Sequence, residues 1–140
     1  PPEGAYNVNE LITPLAEAAN LGDTINMTML DITASGNISE EDIVTFAGVQ
    51  SISYADNGGT VIVVQTVPGA ADRVATGFAA YRDGQLSQAE NYKADYPIAF
   101  ENMTNARIVQ NGDYVIFAVS ATGNEGGYDA LDAALETAFA

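Results

Sequence analysis

The stretch Thr60-Val61-Ile62-Val63-Val64-Gln65-Thr66-Val67 follows Asp56-Asn57-Gly58-Gly59 and is cut off by Pro68-Gly69. Every residue in it except Gln65 is β-branched. Such side chains lose rotamer freedom in a helix and pack well on a pleated surface, so the stretch reads as a strand. Ile52 and Tyr54 alternate ahead of the Asp-Asn-Gly-Gly run, whose residues tolerate positive φ, and this pattern predicts a hairpin. A second hairpin is written further on. Ala106, Ile108 and Gln110 lead through Asn111-Gly112 into Tyr114-Val115-Ile116-Phe117-Ala118-Val119.

Helical patterns surround the two hairpins. Residues 70–92 read as one long helix, with Val74, Phe78, Tyr81 and Gln85 on one face and Gly77 and Gly84 as weak points. Residues 94–103 contain Pro97 and read as loop, and Leu131, Ala134, Leu135 and Ala138 mark a final helix. Toward the start, Ser39-Glu40-Glu41-Asp42 has the Ser cap and acidic first turn of a helix that Ile43, Val44, Phe46 and Ala47 continue and Gly48 stops. Val8, Leu11, Ile12, Leu15, Ala18 and Ala19 share a face of a first helix capped by Asn7. Pro14 implies a kink or a start delayed to Thr13, and Gly22 supplies a left-handed end. Residues 24–37 give only a weak alternation at Ile25, Met27 and Met29.

The order predicts an α+β fold: a four-stranded, mainly antiparallel sheet of two hairpins, with helices packed on one face as a two-layer sandwich. Residues 1–6 read as a linker tail, cut within Pro1-Pro2-Glu3-Gly4, and 7–140 as a single domain. Stretches 52–92 and 106–139 share a ββα outline, without a repeat at the level of residues.

Composition removes whole classes of chemistry. Of 140 residues, 47% are hydrophobic, enough for a core and too many for a disordered chain. There is no His, Cys or Trp. Imidazole catalysis, thiol chemistry and conventional zinc, haem or iron–sulfur sites are therefore excluded, and no cofactor is expected. Nineteen acidic residues face four basic ones, a formal charge of -15. The cations are Arg73, Arg82, Lys93 and Arg107, with none before residue 73. Such a field repels polyanions, so neither nucleic acid nor an anionic membrane surface is expected as a partner. No run approaches the roughly 18 apolar residues of a transmembrane segment.

The central stretch resembles a known family. A helix bearing Val74, Tyr81, Arg82, Gln85, Gln88 and Tyr92 follows the strand and break VIVVQTVPG. Tyr96-Pro97 comes next, and then Ala106-Arg107-Ile108-Val109-Gln110-Asn111-Gly112-Asp113-Tyr114-Val115-Ile116-Phe117-Ala118-Val119-Ser120. In order and spacing, residues 38–120 resemble a domain of unknown function found in lipoproteins of Gram-positive, clostridia-like, often gut-dwelling bacteria. The long helix here is poorer in Lys than is usual for that family. The resemblance implies a position outside the cytoplasm, at the cell surface, with attachment through a lipid anchor upstream of Pro1. It implies no activity.

Tyr81, Arg82, Gln85, Gln88, Tyr92 and Tyr96 form the candidate ligand face. Tyrosines stack on sugar rings or peptide groups and amides hydrogen-bond them. The same spacing also suits simple packing of Phe78, Tyr81 and Gln85 on the sheet. Arg73 and Arg82 are expected to pair with Asp72, Asp83 or other acids. Glu40 with Asp42, and Asp129 with Asp132, offer the two carboxyls of a hydrolase, at positions where helix starts also favour acids. Ser87 and Lys93 lie off-face for a dyad. Asp56-Asn57-Gly58-Gly59 and Asn124-Glu125-Gly126-Gly127 offer oxygen ligands without the 12-residue loop of a specific calcium site. No catalytic residue and no metal ligand is assigned. The expectation is a surface-exposed binding or interaction domain for a protein or glycan. The alternatives are a carboxylate-based hydrolase of a wall polymer or glycan, and a calcium-stabilised structural module.

Overall fold

A computed structural model of the chain describes residues 6–36, 38–87, 91–122 and 127–139. Five strands form one antiparallel sheet: β1 (Thr24–Asn26), β2 (Ile43–Ser51), β3 (Thr60–Thr66), β4 (Arg107–Asn111) and β5 (Tyr114–Val119). Their order across the sheet is β1-β2-β3-β5-β4. Seven α-helical segments accompany them among the described residues: α1 (Val8–Ala18), α2 (Met29–Gly36), α3 (Tyr54–Asn57), α4 (Ala71–Ser87), α5 (Tyr92–Asp95), α6 (Pro97–Thr104) and α7 (Gly127–Ala138). The α+β class is as expected. The sheet has five strands where the sequence predicted four, because β1 is a three-residue edge strand with every residue exposed. Three exposed residues with a single Ile leave only the weak alternation noted at Ile25 and Met27, too little to read as a strand.

Helices cover both faces, so the two-layer expectation is corrected to three layers. Val61 and Val63 of β3 join Ile116 and Ala118 of β5 in a core closed by α1 and α7, through Leu11, Leu15 and Leu131. Ile62 and Val64 join Val115, Phe117 and Val119 on the opposite face. That second core is closed by Ile32 of α2, Val74 and Phe78 of α4 and Met103 of α6. A ββα order occurs as β4-β5-α7 within 106–139, but its counterpart is β2-β3-α4, whose first strand lies ahead of the stretch 52–92 expected to carry it. A twofold axis between antiparallel β3 and β5 would set α4 and α7 on the same face. They lie on opposite faces, so the outline is not a twofold repeat.

Three local readings change with tertiary context. Residues 43–47, expected as helix, are the first half of β2, and the Ser39 signature produces only a 3-10 turn at Glu40–Asp42. Ile43, Val44 and Thr45 are β-branched, and pairing with β3 outweighs the weak cap, which makes no side-chain bond. The first hairpin closes over residues 52–59 with α3 inside it, instead of turning at Asp-Asn-Gly-Gly. Gly58 ends α3 at φ 70°, and a Cβ on Gly59 would stand 3.0 Å from that of Ala121. The second hairpin turns at Gly112-Asp113, one residue later than read, because Asn111 pairs with Tyr114. Residues 94–103, expected as loop, carry α5 and α6, with Pro97 in the first turn of α6, where its missing N–H costs nothing.

The start of the chain is also firmer than read. Asn7 Oδ1 accepts from the N–H groups of Asn9 (2.8 Å) and Glu10 (3.3 Å), so α1 begins at Val8 and not near Thr13. Burial of Val8, Leu11, Ile12 and Leu15 outweighs the one bond lost at exposed Pro14. The helix closes with Leu21 N–H on Ala16 C=O and Asn20 N–H on Glu17 C=O, and the left-handed residue in this pattern is Asn20 (φ 55°). Gly22 is left-handed too, two residues after Asn20. Tyr6, placed in the tail by the sequence, is docked: its ring meets Tyr114 and Phe139 edge-on, and its hydroxyl donates to Phe139 C=O at 2.9 Å.

Candidate functional site

The six candidate ligand residues divide between core and surface. Tyr81 is half-buried on α4 with its ring edge-on to Phe117 of β5, at 5.9 Å between centroids. Its hydroxyl meets that of Tyr54 from α3 at 2.7 Å. Burial, more than the neighbouring Tyr81, pushes the Tyr54 hydroxyl far above the ordinary tyrosine range. The two hydroxyls thus share one bond between α3 and α4. Gln85 is also half-buried, and Arg82 turns back on its neighbour Asp83 at 3.1 Å. The reading that packs Tyr81 on the sheet is therefore what the geometry favours. Gln88 lies outside the described residues.

Tyr92 and Tyr96 belong to a different group, on α5 and the turn into α6. Their rings stand 6.2 Å apart, and Phe100 meets Tyr92 edge-on at 5.8 Å. Lys93 Nζ lies 5.8 Å from the Phe100 ring centroid, a cation–π contact. Burial raises the Tyr92 hydroxyl above its ordinary value, with the Tyr54 hydroxyl adding a smaller push. Tyr96 is 44% exposed and Ile98 is 61% exposed. Sequence reasoning missed Ile98 and Phe100 because it assigned residues 94–103 to loop. Periodicity over eight residues, broken by a proline, gives little signal for such a short helix.

The carboxylate pairs do not present two free acids. Asp42, half-buried, accepts from Arg73 Nη2 at 2.9 Å and Nε at 3.2 Å. Asp132 accepts from Arg107 Nε at 2.8 Å and Nη2 at 3.1 Å, while that guanidinium also lies over the Tyr128 ring. Arg73 therefore reaches across to Asp42, and Asp72 instead accepts from Gln110. In both pairs the guanidinium hydrogen bonds hold the carboxyl below its usual range. A general acid needs the opposite shift. A lowered folded-state value stabilises the fold above the unfolded value near 3.8 and ceases to do so as pH falls through the folded one. Asp132→Asn is accordingly expected to melt below the parent protein at pH 7. The two melting temperatures should converge as pH falls from 3.8 through the lowered folded-state value; a gap that persists in strong acid would place the effect elsewhere.

The loop proposed for calcium is occupied by its own bonds. Asn57 Oδ1 accepts from Gly59 N–H at 2.8 Å, and Asn57 Nδ2 reaches Ser51 Oγ at 3.3 Å. The other loop, 124–127, lies almost wholly outside the described residues. Among the described residues no group of three or more acids is placed to hold a metal ion, and no helix is long and apolar enough to cross a membrane.

A buried polar hub, which the sequence reading did not single out, fixes the loops beside α6. Asn102 Nδ2 donates to Asn57 C=O (2.8 Å) and Ala121 C=O (3.2 Å). Tyr128 donates from its hydroxyl to Asn102 C=O at 2.7 Å and accepts from Ser120 N–H at 3.2 Å. Burial pushes the Tyr128 hydroxyl up to about 12. A groove of about 420 Å³ opens between α1 and the β1 edge. A smaller cavity of about 310 Å³ lies at the α1 start, beside Tyr6, Thr45 and Gln65. No family model matches the chain, and no similar curated protein or solved structure was found by comparison.

Proposed function

We propose that the chain is a non-catalytic interaction domain, displayed outside the cell, whose α5–α6 aromatic strip engages a protein or glycan. The observation that carries this reading is the joint exposure of Tyr96 and Ile98 above the packed pair Tyr92 and Phe100. An exposed aromatic ring held by others offers contact area at a small entropic cost, the property of binding hot spots. The engagement of Asp42 and Asp132 by arginines weighs against the carboxylate-hydrolase alternative. Extracytoplasmic display by a lipid anchor rests on the family resemblance of residues 38–120.

The test is a nuclear magnetic resonance titration with soluble N-acetylglucosamine and glucose oligomers and with apolar peptides. The expected result is shifts concentrated at residues 92–100, with affinity lowered about tenfold or more by Tyr96→Ala at an unchanged melting temperature. Shifts centred elsewhere and indifferent to Tyr96→Ala, or no binding at all, would overturn the reading.

A further inference from the structure

The β1 edge of the sheet combines open backbone groups, an adjoining groove and uncompensated negative charge. Ile52 N–H donates to Asp23 C=O, and Met27 N–H donates to Gly48 C=O. With Thr24↔Ser51, Ile25↔Gln50 and Asn26↔Val49 in register, Asp23, Ile25 and Met27 turn their backbone groups toward β2. The N–H and C=O groups of Thr24 and Asn26 therefore point away from the sheet, and no described group bonds them. Beside this edge the groove has an apolar floor of Ile12, Ala16, Leu21 and Val49, with Thr24 and Glu17 among its walls. Its size, about 420 Å³, suits one or two side chains, not a large ligand.

Charge selects the occupant. No Lys or Arg occurs in residues 1–72, so the only charged side chains that α1, β1, α2 and β2 and the turn before β1 contribute are carboxylates, among them exposed Glu17 of α1 and Asp23 beside the groove. The arginines are spent on Asp42, Asp83 and Asp132 in other parts of the fold. We propose that β1 is a strand-addition site for a short, extended, cationic peptide segment of a partner protein. Its backbone pairs with Thr24 and Asn26, an apolar side chain enters the groove, and a Lys or Arg meets Glu17. Strand addition draws affinity from the main chain and specificity from alternate side chains, which matches an edge whose one flank is a pocket. The shortness of β1 limits the pairing to a few residues, so the groove and the charge set the preference. This site is separate from the α5–α6 strip and stands without it.

The probe is a soluble hexapeptide alternating Lys and Val, with three comparisons: its Glu-Val counterpart, its retro-scrambled form, and a version N-methylated on alternate residues. N-methylation keeps charge and side chains but removes the amides that would pair. Expected are amide shifts and slowed hydrogen exchange at Thr24 and Asn26 with the Lys-Val peptide, and affinity at least about tenfold weaker for the N-methylated peptide. Thr24→Pro removes an outward donor without breaking a ladder bond, and should weaken binding about as much while leaving the melting temperature within a few degrees. Glu17→Gln should weaken it several-fold. Equal binding of the N-methylated peptide, shifts spread over the acidic surface without protection at β1, or no binding would each overturn the proposal. Thr24→Pro is read only if its melt is intact; otherwise the N-methylated peptide against the parent protein decides.

Discussion

Replacing Asn102 by Ala is expected to lower stability by about 2–4 kcal/mol, because it strips a buried donor from two backbone carbonyls. Asn102 is 1% exposed on α6. Its amide holds Asn57 C=O, in the connection from β2 to β3, and Ala121 C=O, just after β5. For a chain of this size the loss corresponds to a fall of roughly 10 °C in melting temperature. Asn102→Asp should be worse at neutral pH, since it aims a buried carboxylate at two carbonyl oxygens. It should recover partly in acid, where protonation restores one donor. Tyr128→Phe removes the other half of the hub, and the double variant should lose less than the sum of the two. Thr104→Ala, exposed on the same helix, should cost no more than about 0.5 kcal/mol. An Asn102→Ala melt within about 1 kcal/mol of the parent would mean that the loops do not depend on this residue.

The hub shows where sequence reading stops. Asn102 stands in Phe100-Glu101-Asn102-Met103-Thr104, a context indistinguishable from a solvated helix turn. Its partners are 45 and 19 residues away, and only the fold brings them together. Elements with strong local signals were legible. The β-branched run became β3, the Tyr114 hairpin became β4 and β5, and Asn7 capped α1 through side-chain bonds. Elements decided by long-range pairing were not. β2 begins where a helix start is written, because pairing with β3 outweighs an unused cap. Of the candidate site, Tyr92 and Tyr96 were found together, and Tyr81 was drawn in by helical spacing although that face points at the core.

The strongly negative charge bears on both proposed surfaces in different ways. The α5–α6 strip carries Lys93, a cation held over Phe100, and so offers a mixed face on which an apolar or sugar surface is not repelled. The β1 edge has no such relief. Raising ionic strength should therefore weaken peptide binding at β1 much more than any contact made through Tyr96. The salt dependence of each titration separates the two surfaces without a variant.

Ile116→Ala and Phe117→Ala are neighbours in β5, and each is expected to cost several kcal/mol. Both side chains are fully buried, on opposite faces of the sheet. Ile116 belongs to the core under α1 and α7. Phe117 stacks on Phe78 of α4, with ring centroids 5.2 Å apart at 13°, and receives the edge of Tyr81. Truncation of a buried Ile costs about 2–5 kcal/mol and of a buried Phe about 3–5 kcal/mol, the spread depending on how far the cavity collapses. In a two-layer sandwich one of two successive strand residues faces water, and its truncation is nearly silent. Denaturant midpoints for the pair thus discriminate two layers from three, and a cost under about 0.5 kcal/mol at either position would leave one face uncovered. The Phe117 variant carries a second readout. If the Tyr81 ring is part of the core, removing Phe117 should alter its ring-proton shifts and loosen its bond to Tyr54, without touching Tyr96. A Tyr81 ring indifferent to Phe117 would return that residue to the ligand face.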